Sequence, residues 1–179
     1  MKRKLLLTCT AFAMSLFTSS VAFADATEEE EGTVTGDEFA PDWADPDFAA
    51  KLSQAQADSR IKAAGIRVYS SGGCTTRTNR TCTSFEQIND TTVTGIITLK
   101  NASGCAITIT GGTETGHASG TYSHWNGYKV DISFSSCIDG YITRSFPYIG
   151  KRGDGAPMYK SAAGNIYARE SNHWDITYF

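Results

Sequence analysis

Hydrophobic positions in this chain recur at two spacings, one typical of helices and one typical of strands. Residues 48–64 carry apolar side chains near one helical face. Asp47 is a good N-cap before this segment, and Gly65 is a common helix stop after it. The pattern therefore predicts a helix over 48–64. Helices are also expected over 91–102, capped by Asp90, and over 136–146, capped by Ser135.

Strands are predicted where apolar and polar residues alternate between turn residues. The loops are polar or glycine-rich, and Thr83 with Glu86 forms a capping-box pattern. Helices mixed with short strands indicate an α+β fold, a small antiparallel sheet with helices packed on it. The predicted strands are 66–70, 106–110, 128–134, 158–161, 165–169 and 175–179, and the predicted loops are 72–82, 113–127 and the stretch after Pro147.

The N-terminus has the layout of a secretory signal. Three basic residues precede an apolar stretch that ends in Ala22-Phe23-Ala24, a small-x-small cleavage pattern. We expect residues 1–24 to be removed on export, to the periplasm or the exterior. A membrane anchor is the alternative, but the apolar stretch is short for a span. No stable membrane insertion is expected after cleavage.

The mature chain separates into an acidic leader and a mildly basic domain. Residues 25–47 hold ten acids and no Lys or Arg, whereas residues 48–179 hold 13 Lys or Arg and nine acids. Residues 25–45 are predicted to be a disordered linker, with a docking arm as the alternative. The domain is assigned to residues 46–179. Its basic residues form no stripe with aromatics, so no nucleic-acid partner is expected.

Four cysteines remain after signal removal: Cys74, Cys82, Cys105 and Cys137. An even number in an exported chain indicates two disulfides, and free buried thiols are the alternative. Three pairings are possible. We favour Cys74–Cys82, which closes a short polar loop, together with Cys105–Cys137. The lack of a Cys-x-x-Cys pair argues against a cysteine zinc site.

The candidate chemistry lies in the histidines, which are His117, His124 and His173. His124 precedes a predicted strand that contains Asp131, and Gly127 permits a sharp turn between them. Glu170 lies three residues before His173. Two histidines and one carboxylate with an open fourth position are the ligands of a catalytic zinc site.

These residues resemble the zinc D-Ala-D-Ala peptidases, which share their fold with the hedgehog signalling domain. The family pattern Ser-x-His-x-x-Gly-x-Ala-x-Asp, then Glu-x-x-His, is matched by His124-x-x-Gly127 through Asp131 and by Glu170-x-x-His173. Val-Asp-Ile at 130–132 also matches the hedgehog relatives. The resemblance covers about residues 84–179. It implies zinc bound by His124, Asp131 and His173, with Glu170 as the catalytic acid-base residue.

Two departures from the family pattern concern the substrate. Lys129 replaces a small residue, and Gly-Gly-Thr-Glu at 111–114 stands where the family often has Ser-Gly-Tyr-Arg. His117 is a candidate catalytic residue that donates to a developing oxyanion in place of that arginine. The alternative is that it only shapes the loop. Asp175 either orients a histidine ligand or lies on a strand surface.

The resemblance implies an exported zinc peptidase that hydrolyses peptidoglycan stem peptides or crosslinks, acting as a monomer on peptidoglycan or a peptide substrate. The main alternative is a non-catalytic module with the same fold and metal, used for wall binding or signalling. A third possibility is an exported toxin that uses the same chemistry on the cell wall of a competing bacterium. The aromatics around the site either line a groove or belong to the core.

Overall fold

A computed structural model describes residues 40–41 and 50–179. The predicted signal peptide, nearly all of the acidic linker and the Asp47 cap lie outside these residues. The described chain contains three helices and nine strands. In chain order they are β1 (Lys51–Leu52), α1 (Gln54–Ala63), β2 (Arg67–Val68), β3 (Ile88–Asn89), α2 (Asp90–Ser103), β4 (Thr108–Gly111), β5 (Lys129–Ser133), α3 (Ser136–Ser145), β6 (Tyr148–Lys151), β7 (Pro157–Lys160), β8 (Ile166–Arg169) and β9 (His173–Thr177).

Seven strands form one sheet in the order β2-β4-β5-β9-β8-β7-β6, while β1 and β3 pair separately. The α+β class is confirmed. The sheet is larger than expected and is mixed, because β2 runs parallel to β4 whereas the other neighbours are antiparallel. Among the described helices, none is long and apolar enough to cross a bilayer.

The helices cover one face of this sheet. Val130 and Ile132 of β5 and Trp174 and Ile176 of β9 are fully buried there, in one cluster with apolar residues from all three helices. Alternation along a strand sends the intervening residues of β5 and β9 to the opposite face. That opposite face carries Lys129, Asp131, His173 and Asp175, and a smaller apolar cluster adjoins them.

The first helix begins later than the sequence predicted. Residues 51–52 form β1, and α1 starts after Ser53, whose hydroxyl accepts from the backbone of Gln56 in a full capping box. The expected helix over 48–64 is therefore wrong at its start. The capping-box pattern of Thr83 and Glu86 also starts no helix. Glu86 instead accepts from the backbone N–H of Gln54, 2.8 Å away, and so caps α1 from a distant segment.

The two predicted disulfides are both present. Cys74–Cys82 closes the polar loop before β3, and Cys105–Cys137 joins the segment between α2 and β4 to the first turn of α3. Gly104 ends α2 in the left-handed conformation, as expected, and Ser135 caps α3 through the N–H of Ile138. The glycine-rich stretch after Pro147, predicted as a loop, instead contains β6.

Candidate metal centre

The floor of the site is formed by two adjacent central strands, and their register decides which side chains lie there. In the antiparallel pair β5 and β9, Asp131 lies opposite Asp175 and Ser133 lies opposite His173. Residues two apart on a strand share a face, so Asp131, His173 and Asp175 all point away from the helices. Two segments that are distant in sequence thus deliver two carboxylates and an imidazole to one place.

The long loop between β4 and β5 brings His124 onto this floor. Gly127 adopts φ 81°, and a Cβ there would lie 2.5 Å from the carbonyl oxygen of Gln87, so the turn requires glycine. His124 is 4% exposed, and its Nδ1 lies 2.7 Å from the carbonyl oxygen of Gly112. A carbonyl can only accept, so Nδ1 carries the hydrogen. Nε2 of the neutral ring then presents a lone pair to the cavity.

One carboxylate oxygen lies between two imidazoles. Asp131 Oδ1 is 3.3 Å from His124 Nε2 and 3.4 Å from His173 Nε2. The same oxygen is buried and has no hydrogen-bond partner among the described residues. Ligand atoms about 2.0–2.1 Å from zinc, at tetrahedral angles, are separated by about 3.3–3.4 Å. The spacing and the unpaired oxygen both fit a zinc ion held by these three residues.

A third imidazole adjoins the other two. His117 stacks on His124 with ring centroids 3.8 Å apart, and its Nδ1 lies 3.6 Å from Asp131 Oδ2. The residues His117, His124 and Asp131 also form a possible metal-binding group, with ligand atoms within 4.8 Å of one another. His117 can therefore reach the same centre from the loop side.

Glu114 positions His117. Its carboxylate is buried and accepts from the backbone N–H groups of Ser84, at 2.8 Å, and Gly112, at 3.1 Å. The Nε2 atom of His117 lies 3.2 Å from Glu114 Oε1. Burial raises the pKa of Glu114, but these hydrogen bonds outweigh it and the net shift is downward. The acid in Gly-Gly-Thr-Glu thus anchors the loop.

Glu170 lies beside His173, as the sequence predicted. Its Oε2 is 3.4 Å from His173 Nε2, and its Oε1 accepts a hydrogen bond from Arg152. The Nδ1 of His173 donates to the side-chain oxygen of Asn172 at 2.6 Å, which leaves Nε2 facing Asp131. Arg152 therefore fixes one oxygen of Glu170 and leaves the other directed at the centre.

Asp175 is the hub of a buried ion-pair network. Its Oδ2 accepts from Lys129 Nζ at 2.9 Å and from Arg152 Nη1 at 2.6 Å, while its Oδ1 lies 3.7 Å from His124 Nε2. Arg152 also binds Asp154 at 2.6 Å. Lys129 thus fits the site as the partner of Asp175. Asp175 is buried, so the alternative of a surface strand residue is wrong.

The site is electrostatically suited to a cation. Its cavity of about 390 Å³ is lined by the four carboxylates of Asp131, Asp154, Glu170 and Asp175 but only two permanent cations, Lys129 and Arg152. The formal imbalance of two negative charges equals the charge that a divalent ion neutralises.

The protonation equilibria in this cavity are shifted by that imbalance. Burial opposes ionisation of Asp131, yet the neighbouring histidines hold its pKa well below the ordinary value. Burial lowers the pKa of His124 and His173, but the adjacent carboxylates, Asp131 above all, outweigh it and raise both. When protonated, the two histidines are counter-ions of Asp131, and a bound metal ion would replace those protons.

All five residues singled out from the sequence, His117, His124, Asp131, Glu170 and His173, line this one cavity. Sequence reasoning did not identify Arg152, Asp154 or Glu114 as part of the site. Arg152 and Asp154 lie in the turn between β6 and β7, which the sequence shows only as a glycine-rich loop. The sequence signal available for Arg152 and Asp154 was that both are charged residues within a glycine-rich loop.

Comparisons with known proteins return no relative. No protein-family model matches the chain, and no curated protein or solved structure resembles it at a significant level.

Proposed function

We propose that the chain is an exported zinc-dependent peptidase that hydrolyses peptide bonds in peptidoglycan stem peptides or crosslinks. The observation that carries the proposal is the buried, unpaired Asp131 Oδ1 at ligand spacing from His124 and His173. The match to the D-Ala-D-Ala peptidase pattern, at these residues and at Glu170, supports the peptide substrate. It also supports a hedgehog-like fold for the domain.

The catalytic roles follow from which atoms face the cavity. Zinc in such a site activates a water molecule and polarises the scissile carbonyl. Arg152 binds Oε1 of Glu170 and leaves Oε2 facing the cavity, so Glu170 would take a proton from the attacking water and return it to the departing amine. Glu114 holds the His117 ring in place by accepting from its Nε2, so Nδ1 faces the centre and would donate to a developing oxyanion when the ring carries both protons.

Export is supported by the N-terminal signal pattern and by the two disulfides. Disulfides form and persist in the periplasm and outside the cell, where peptidoglycan is accessible. We accordingly propose a periplasmic or secreted location for the mature chain.

A second candidate is a non-catalytic zinc module for wall binding or signalling. The position of His117 favours it, because a third imidazole beside His124 and Asp131 can complete a closed set of four protein ligands. Closed sites are structural, whereas catalytic sites keep a position open. The two proposals therefore differ in whether His117 is a ligand.

A histidine series tests both proposals. Metal content is measured on the purified wild type and on His124→Ala, His173→Ala and His117→Ala, and hydrolysis of cell-wall fragments is followed with and without a chelator. For a peptidase we expect about one zinc per chain. The His124 and His173 variants should lose it, the His117 variant should keep it, and hydrolysis should be chelator-sensitive.

Other outcomes separate the alternatives. Zinc loss on His117→Ala, with no hydrolysis by the wild type, would favour the closed, non-catalytic module. Full zinc in both the His124 and the His173 variants would show that the ligand assignment is wrong.

A further inference from the structure

A second cavity opens on the other side of the candidate metal centre. It has a volume of about 340 Å³, against about 390 Å³ for the first. His117, Asp131 and His173 line both cavities, so the centre stands between them. Each volume is at the lower end of the range of about 300–1,000 Å³ that is usual for ligand sites. The two cavities thus adjoin each other at the candidate metal centre.

The positive charges of the first cavity are already neutralised. Lys129 is paired with Asp175, and Arg152 is shared among Asp154, Glu170 and Asp175. An incoming carboxylate would have to displace one of these buried pairs. The first cavity therefore does not suit a free C-terminal carboxylate.

The second cavity has a cation without a partner. Arg80 lies on its rim, is exposed, and makes no hydrogen bond or ion pair among the described residues. It belongs to the loop closed by the Cys74–Cys82 disulfide, and its Cβ packs beside Gly116 next to His117. The disulfide and this contact fix the base of Arg80 near the centre.

The same rim carries an exposed aromatic ring. Tyr69 is 60% exposed and lines the second cavity together with Ser71 and Asn172. An exposed ring beside an unpaired guanidinium suits a substrate segment that has an apolar surface and a carboxylate.

We propose that the substrate chain crosses the centre from one cavity to the other, so that the scissile bond is internal, and that a carboxylate-bearing residue of the substrate lies against Arg80. The enzyme is then an endopeptidase rather than a carboxypeptidase. The C–N bond breaks with addition of one water, giving a carboxylate on one fragment and an amine on the other. This inference rests on the proposed peptidase function.

The first test is the pattern of products. The full mature protein with zinc is incubated with a cross-linked dimeric muropeptide and with a monomeric pentapeptide muropeptide, and product masses are recorded. We expect cleavage of a bond with at least two residues on each side. Loss of a single terminal residue as the main reaction would overturn the inference while leaving the peptidase function intact. No cleavage of either substrate would overturn both.

The second test concerns Arg80. Arg80→Gln is compared with wild type on a cleaved peptide and on the same peptide with its side-chain and α-carboxylates amidated. We expect KM for the acidic peptide to rise roughly two- to fivefold, as for loss of an exposed ion pair, with kcat unchanged. The amidated peptide should show no difference between the two proteins.

Arg144→Gln is the matched control, because Arg144 is an exposed arginine on α3, which packs on the opposite face of the sheet. It should leave both peptides unaffected. An unchanged KM in Arg80→Gln, or an equal rise for the acidic and the amidated peptide, would overturn the role assigned to Arg80.

Discussion

Replacing Arg152 by methionine should destabilise the metal-free protein. Methionine keeps much of the aliphatic volume but removes the guanidinium that joins Asp175, Glu170 and Asp154. The side chain of Arg152 is 11% exposed and that of Asp175 is 7% exposed, so of the ion pairs that Arg152 makes this one is the most protected from water. Removing one partner of such a pair leaves a buried charge that is only partly compensated.

The magnitude follows from the exposure of each partner. A buried charge-assisted hydrogen bond contributes about 1.5–3 kcal/mol. The bonds to Glu170 and Asp154, whose side chains are 29% and 43% exposed, add less because water screens them. We expect a loss of about 2–4 kcal/mol, with Lys129 still holding Asp175. For a domain of this size that corresponds to a fall in Tm of roughly 8–16 °C.

The assay is thermal unfolding with a chelator and again with zinc. Arg152→Met makes the cavity more negative, so zinc should raise its Tm by more than it raises that of the wild type. Arg152→Lys keeps the charge but loses the planar fork, and it should recover only part of the lost stability. A metal-free Tm within about 2 °C of wild type would refute the argument that Arg152 neutralises this site.

Three further predictions concern the same domain. Glu170→Gln should keep its zinc and its fold but lose activity by about 10²–10⁴-fold, the usual contribution of a general acid-base group, and wild-type turnover by this variant would remove Glu170 from the mechanism. Removing the Cys105–Cys137 disulfide should cost roughly 3–4 kcal/mol in denaturant unfolding, and an unchanged midpoint would contradict that. Because the pKa values of His124 and His173 are raised in the metal-free protein, protons should compete with zinc at higher pH than at ordinary histidines. Competition titrations should show the zinc affinity falling as pH drops through neutrality, by up to about a hundredfold per pH unit when both rings are protonated, whereas a flat profile would exclude them as ligands.

Much of the site could be predicted because its residues lie on strongly patterned segments. Alternation along 128–134 assigns Val130 and Ile132 to the core and therefore Asp131 to the other face. Glu170 lies three residues before His173, which is the spacing of a turn that leads into the last strand. In both places local geometry alone fixes the direction of the side chain.

The elements that sequence reasoning missed depend on distant partners. β1 and β3 are two residues each and exist because Leu52 pairs with Ile88. β6 contains Gly150, where its register with β7 shifts. This irregularity interrupts the alternation by which a strand is recognised in the sequence. Arg152 enters the site from the turn after β6, and no local signal tells which carboxylates it will meet. Such contacts depend on the order of the strands in the sheet, and local sequence patterns do not reveal that order.

The pairing of Asp131 with Asp175 across β5 and β9 has a consequence for the amount of protein that persists in its compartment. Like charges in directly opposed positions repel each other; Lys129 and Arg152 offset this repulsion at Asp175, and a bound cation would offset it further. A ligand at one hundred times its Kd stabilises a fold by about 2.7 kcal/mol. Under the proposed zinc assignment, chains made during zinc scarcity unfold more often and are degraded first. The abundance of this protein would then follow the local zinc supply, independently of its transcription.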